Sequence, residues 1–199
     1  MTLDNENRKY LENLITENPE LCKKKDFQAE EFIFREGDFV EEIIFVKDGV
    51  LKLCKYNKEI KNEMILNFLL PGDLLISPSA LLKNDYARLN CKVAKNSLSD
   101  FTSLCFINYK NVYEKFRQNN QELEKLSNFI NNYILKTFEY YVNRLILENF
   151  RKRKTEEIVK KMVIEGSPIF NSGISQKDLA SFFGILPSTL SDIFSKKIK

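Results

Sequence analysis

Near residue 109 the apolar period of this chain changes, and that change constrains its fold more than any other feature. From Phe27 to about Tyr109, short apolar runs alternate with turn residues. Glu31-Phe-Ile-Phe-Arg is followed by Glu36-Gly37-Asp38, Ile43-Ile-Phe-Val by Lys47-Asp48-Gly49, and Val50-Leu-Lys-Leu-Cys by Asn57-Lys58. Met64-Ile-Leu-Asn-Phe-Leu-Leu is followed by Pro71-Gly72-Asp73. Gly accepts the positive φ that such turns need. Asn62-Glu63 falls where a further turn is due, and Asn is the next best residue at positive φ. Strands of about five to seven residues in this rhythm predict a small antiparallel barrel or sandwich.

Beyond Asn108 the period is helical. Val112, Phe116, Leu123, Leu126, Ile130, Tyr133, Thr137, Tyr141 and Leu145 fall three or four apart, with no Gly or Pro between them. The mean globular helix has only about 11–12 residues. A helix this long with one apolar seam pairs with a second copy or lies across a domain. Leu123, Leu126, Ile130, Tyr133, Thr137 and Tyr141 are therefore the candidate dimer interface. Residues 2–22 read as a short amphipathic helix ending near Asn18-Pro19. The organisation expected is a β-domain over 1–110, a long helix over 111–151 and a helical domain over 152–199, an α+β chain.

Composition removes several functions. The chain has no histidine, so His-ligated zinc or haem and Ser-His-Asp or Cys-His catalysis are excluded. No acid–base pair, activated nucleophile or metal cluster shows motif-level spacing, so an enzyme is not expected. Cys22, Cys54, Cys91 and Cys105 show no C-x-x-C spacing, and a reduced, cytosolic thiol set is the default reading. No stretch approaches the ~18 apolar residues of a membrane span. The polar start MTLDNENRKY is not a signal peptide, so a cytoplasmic protein without membrane association is expected. Charge is uneven: residues 140–199 hold 11 Lys and Arg against 6 Asp and Glu, although the whole chain is only +3. A basic end on a near-neutral body suits a nucleic-acid module attached to a sensor. The run Arg151-Lys-Arg-Lys154 reads as a solvated basic hinge.

The last segment reads as helix, turn, helix. Ser175 is a candidate N-cap with Asp178 three residues on. Ala180 is small where two helices must cross, Gly184 sits at the turn, and Leu190 and Ile193 face back into a core. Pro187 is tolerated in the first turn of the second helix. This spacing matches a DNA-binding helix-turn-helix.

The order of parts resembles the Crp/Fnr family of bacterial transcription regulators. The resemblance rests on Phe32-Ile-Phe-Arg-Glu-Gly37-Asp38, Ile44-Phe-Val-Lys-Asp-Gly49-Val-Leu-Lys-Leu, Asn62 through Pro71-Gly72-Asp73, and Gln176-Lys-Asp-Leu-Ala180 through Ile193. It implies a jelly-roll-like β-roll that senses a signal, a long dimerisation helix, and a winged helix-turn-helix that reads two operator half-sites. Expected partners are double-stranded DNA, a second copy of the chain and RNA polymerase. Candidate DNA-binding residues are Ser175, Gln176, Lys177, Ser188, Thr189, Ser191, Lys196 and Lys197.

Several departures bear on function. Cyclic-nucleotide members carry Phe-Gly-Glu-Leu and then Arg-Ala after Pro-Gly-Asp, for the ribose and phosphate. Here Leu74-Leu75-Ile76-Ser77-Pro78-Ser79 follows, and Ala87-Arg88 inverts the order. Without a bidentate partner a desolvated phosphate is poorly bound, so cAMP is not expected. Ser77, Ser79, Arg88 and Asn90 line a pocket for another small molecule, or the segment is a remnant without ligand. Cysteines are too scattered for the iron–sulfur cluster of oxygen-sensing relatives, and no cofactor is expected. Pro187, Ser188 and Asp192 stand where many relatives place Arg, Glu and Arg on the recognition helix. An operator poor in guanine contacts follows. The chain stops at Lys199, where relatives continue into a wing. The competing reading is a small-molecule-sensing or protein-interaction module whose helix-turn-helix no longer binds DNA.

Overall fold

Apolar side chains alternate across the strands and feed three cores, two of which lie outside the roll. The computed structural model describes residues 5–57, 62–77, 86–96, 98, 101–150 and 155–197. Its strands are β1 (Cys22–Gln28), β2 (Phe32–Phe34), β3 (Glu42–Asp48), β4 (Leu51–Asn57), β5 (Asn62–Leu69), β6 (Leu74–Ile76), β7 (Asn90–Val93) and β8 (Phe101–Asn108). The helices are α1 (Asn5–Glu17), α2 (Tyr109–Phe116), α3 (Asn120–Phe150), α4 (Thr155–Ile164), α5 (Gln176–Phe183) and α6 (Pro187–Lys197). Two antiparallel four-stranded sheets form, in the orders β1-β8-β3-β6 and β2-β7-β4-β5.

Period-two alternation sorts the strands. Ile44 and Val46 of β3 and Leu104 and Phe106 of β8 point between the sheets, where they meet Leu51, Leu53 and Val93. Ile43, Phe45, Cys105 and Ile107 point the other way, into a core shared with Leu11 and Leu14 of α1, Val112 of α2, and Leu126, Phe129, Ile130 and Tyr133 of α3. On the second sheet Val50, Cys54, Ile65 and Phe68 pack outward against Val159, Val163, Leu179, Ala180, Leu190 and Ile193. The C-terminal helices are therefore seated on the roll.

The turn signals at Gly37, Gly49 and Gly72 all fall between strands, at positive φ. Gly49 is required twice over. Its φ is +81°, and a Cβ there would lie 2.2 Å from Thr102 Oγ1.

Four expectations need correction. Asn62 and Glu63 are not a turn. They open β5, paired with Asn57 and Tyr56. The first strand begins at Cys22, earlier than the apolar rhythm indicates. β1 is a Lys-rich edge strand whose central residues face solvent, so it carries no apolar alternation. The long helix is two: α2 ends at Phe116 and α3 begins at Asn120. Nor are the cysteines all reduced thiols. β1 pairs with β8 so that Cys22 lies diagonally across from Cys105, and the two are disulfide-bonded over a separation of 83 residues. Cys54 and Cys91 are free and buried.

Candidate functional site

Four places bear on function: α3, the sequence-derived effector residues, the C-terminal helices and a charged cluster beneath them. Leu126, Ile130 and Tyr133 do not face outward as a seam with a second chain would require. They are buried against the first sheet of their own roll, and the Tyr133 hydroxyl donates to the Leu74 carbonyl at 2.5 Å. Leu123 is half-buried, and Thr137 turns its hydroxyl back onto the Tyr133 carbonyl. The outward face of α3 instead carries Ile134, Leu135 and Phe138, the last 68% exposed. A stripe at three- and four-residue spacing has a defined face but no label saying what covers it, so the pattern alone does not separate a seam with a second chain from the packing of Leu126, Ile130 and Tyr133 on their own roll. The side chain of Tyr141 lies outside the described residues.

The sequence-derived effector residues differ in their surroundings. Ser77 is buried at the end of β6, while Arg88 is exposed. Asn90 Oδ1 accepts from the Glu36 amide at 3.0 Å, so it secures the β2–β3 connection. Ala87 is sunk beside that connection, with its carbonyl accepting from Gly37 N and its amide donating to the Asp38 carbonyl. The inverted Ala87-Arg88 order thus puts the methyl inside and the guanidinium outside. Ser79 lies outside the described residues. A cavity of about 530 Å³ opens at another place, between β2, β3 and β8. Phe34, Val40, Ile44 and Phe106 form its apolar wall, and Asp38, Glu41 and Glu42 line it with carboxylates; none of its lining residues is Lys or Arg. A phosphate would meet no cation there.

The C-terminal helices are built as their residues dictate. Ser175 Oγ accepts from the Asp178 amide at 3.1 Å and caps α5. Gly184 ends α5 at φ +66°, in the left-handed conformation that suits Gly at a helix C-terminus. Pro187 opens α6. Ala180, Leu190 and Ile193 are buried where the helices cross. Gln176, Lys177, Ser188 and Ser191 are exposed, together with Asp192, and Thr189 is half-buried. The side chains of Lys196 and Lys197, and the run 151–154, lie outside the described residues.

Sequence reading missed a charged cluster where α5 meets the second sheet. Lys52 of β4 has a side chain only 3% exposed. Its Nζ lies 2.9 Å from Glu30, 3.2 Å from Glu63 and 3.5 Å from Asp178. Lys92, opposite Lys52 in the ladder, pairs with Glu63 at 2.8 Å. Two like charges face to face repel, and the carboxylates shared between them remove that repulsion. Burial alone would depress the Lys52 amine, but Glu30, Asp178 and Glu63 outweigh it and hold the pKa above the ordinary value. Burial pushes Glu63 up, yet Lys92 and Lys52 keep it below the usual carboxylate range. In the sequence Lys52 resembles any outward residue of a half-exposed strand. Only the docking of α5 makes its position special.

Among the described residues no helix is long and apolar enough to cross a membrane. Residues 24–119, from β1 through α2, match the cyclic nucleotide-binding domain family. A comparison with curated proteins gives no match. Among solved structures the chain is similar to FixK2 from Bradyrhizobium japonicum, at 18% identity and TM-score 0.63, covering 88% of this chain and 83% of that one. It is similar to the c-di-GMP-responsive global regulator CLP of Xanthomonas campestris, at 13% identity and TM-score 0.66, covering 94% and 89%. It is also similar to the catabolite activator protein of Thermus thermophilus, at 17% identity and TM-score 0.53, covering 92% and 81%. At these identities the likeness is one of fold. The β-roll matches the cyclic nucleotide-binding domain family over residues 24–119, and the chain as a whole shares the fold of these solved regulators.

Proposed function

We propose that the chain is a homodimeric transcription regulator that binds palindromic operator DNA through α5, the Gly184 turn and α6. The observation that carries this reading is the C-terminal helix pair itself. α5 is capped by Ser175 and closed by Gly184, and its crossing with α6 is buried at Ala180, Leu190 and Ile193. The opposite side presents Gln176, Lys177, Ser188 and Ser191 to solvent. Polar groups at the start of a second helix are what a major groove admits, and a first-helix N-terminus suits phosphate. Lys196 and Lys197 would add phosphate contacts beyond it.

The functional division keeps the bounds read from the sequence: a sensing roll over 1–110, a connecting segment over 111–151 in which α2 and α3 replace a single helix, and the DNA-binding unit over 152–199. The dimer seam, however, falls on Ile134, Leu135 and Phe138, because Leu126, Ile130 and Tyr133 are committed to the roll. cAMP is not the effector in this reading, since the Gly and Glu that cyclic-nucleotide members carry after Pro-Gly-Asp are absent from Leu74-Leu75-Ile76-Ser77, and Arg88, in inverted order after Ala87, is exposed. Any effector acts by preferring one arrangement of the two DNA-binding units over another.

The test is binding to genomic DNA fragments across a salt series, with sequencing of what is retained. A palindromic site with steeply salt-dependent affinity supports the proposal. Exposed Asp192, beside Ser188 and Ser191, favours the second reading, an interaction module that has lost DNA binding. Weak binding that no sequence enriches would support it instead.

A further inference from the structure

We infer that Lys52 is a positioning residue for DNA binding: by joining Asp178 of α5 to Glu30 and Glu63 of the roll, it sets the direction in which α6 points. This rests on the DNA-binding reading above.

Two kinds of contact hold the C-terminal helices to the second sheet. One is apolar. Val50, Cys54, Ile65 and Phe68 meet Leu179, Ala180 and the helices behind them, and the Phe68 and Phe182 rings are 5.3 Å apart. Apolar burial is non-directional, so it supplies adhesion without selecting one seating. The other is polar and directional. Asp178 reaches Lys52, Ser181 Oγ donates to the Glu63 carbonyl at 3.2 Å, and a β-bridge pairs Asn96 with Ile174 just before α5. Both polar side chains lie on α5, one turn apart, so they fix its rotation as well as its place.

The charge arithmetic suits a latch. Within the roll Lys52 and Lys92 are balanced by Glu30 and Glu63. Asp178 is a third carboxylate whose place in the first turn of α5 is already favourable to the helix dipole. The roll side is therefore balanced when apart, and in the joined cluster, two ammonium groups against three carboxylates, Asp178 is held by Lys52 and by its own helix N-terminus. Sliding α5 by one turn would withdraw Asp178 from a buried ammonium, which is the kind of error a buried ion pair penalises. Seating does not cover the groove-facing side: Gln176, Lys177, Ser188 and Ser191 stay exposed. The latch orients the recognition helix and leaves it open.

The test is Asp178→Asn in the full chain, read by amide hydrogen exchange and by DNA affinity. Exchange in α5 and α6 is expected to speed up about tenfold, the equivalent of ~1.4 kcal/mol, with β3 and β8 unchanged. Affinity for the selected operator falls, although the variant has lost a negative charge near the phosphates. A simple surface-charge role predicts the reverse, a rise, and that result overturns the inference. Unchanged exchange in α5 and α6 overturns it too. Asp178→Glu should recover both readouts, and Ser181→Ala should shift them in the same direction without touching a charge. Lys55→Gln, which breaks the exposed pair with Glu36, should alter neither. If the wild-type chain selects no operator, the DNA-binding reading fails, while the exchange arm still decides whether Lys52 and Asp178 hold α5 in place.

Discussion

Single residues already decide how tightly the roll closes. Gly49 lies at φ +81° with Thr102 against it, and the Val50 amide donates to Thr102 Oγ1 at 3.3 Å. Gly49→Ala would strain the turn and push that threonine off its bond. The expected loss is about 2–4 kcal/mol, combining a left-handed backbone with overpacking, and a chemical denaturation midpoint measures it. Cys54 is shielded differently. Burial first, then the neighbouring Glu63 carboxylate, push its thiol up to about 12, and burial also raises Cys91. The thiolate is the reactive form, so native protein at pH 8 should take up alkylating reagent at neither residue until it unfolds. Rapid labelling under those conditions, seen by intact mass, would contradict the buried assignment.

Individual elements were legible where chemistry is local. Gly37, Gly49, Gly72 and Gly184 mark their turns by backbone freedom, and Ser175 marks its helix by the bond to Asp178. What was not legible depends on partners distant in the chain. β1 shows no alternation because it is a lysine-bearing edge, and its pairing with β8 is what joins Cys22 to Cys105. α3 shows its apolar stripe plainly but not that the stripe is spent on its own roll. The cluster around Lys52 draws on five separated segments, and no spacing rule reaches across them. The corrected face of α3 makes a prediction at this scale. Phe138→Glu adds a charge to an exposed apolar patch, so it should leave the chain folded and convert the proposed dimer to monomer in sedimentation at micromolar concentration. A Tyr133→Phe variant should instead lower stability by about 1 kcal/mol, through the lost bond to Leu74, and leave assembly intact.

At the scale of the whole molecule, the roll is a hub with one helical layer on each sheet. α1, α2 and α3 cover the first sheet, and α4, α5 and α6 cover the second. The roll thereby touches both the helix proposed to pair two chains and the helices proposed to meet DNA. β4 shows the arrangement within one strand: Leu51 and Leu53 belong to the interior, while Lys52 and Cys54 face α5 and its neighbours. The central claim is that this layered body delivers two recognition helices to one palindrome. The most direct measurement is operator affinity of the dimer over 50–200 mM salt, using the site recovered from genomic fragments. Several phosphates neutralised by two copies of α5 and α6 predict a fall of about 10³-fold or more across that range, with half-sites one helical turn apart, about 34–36 Å. Affinity that barely moves with salt, or retained DNA without a repeated half-site, would contradict it.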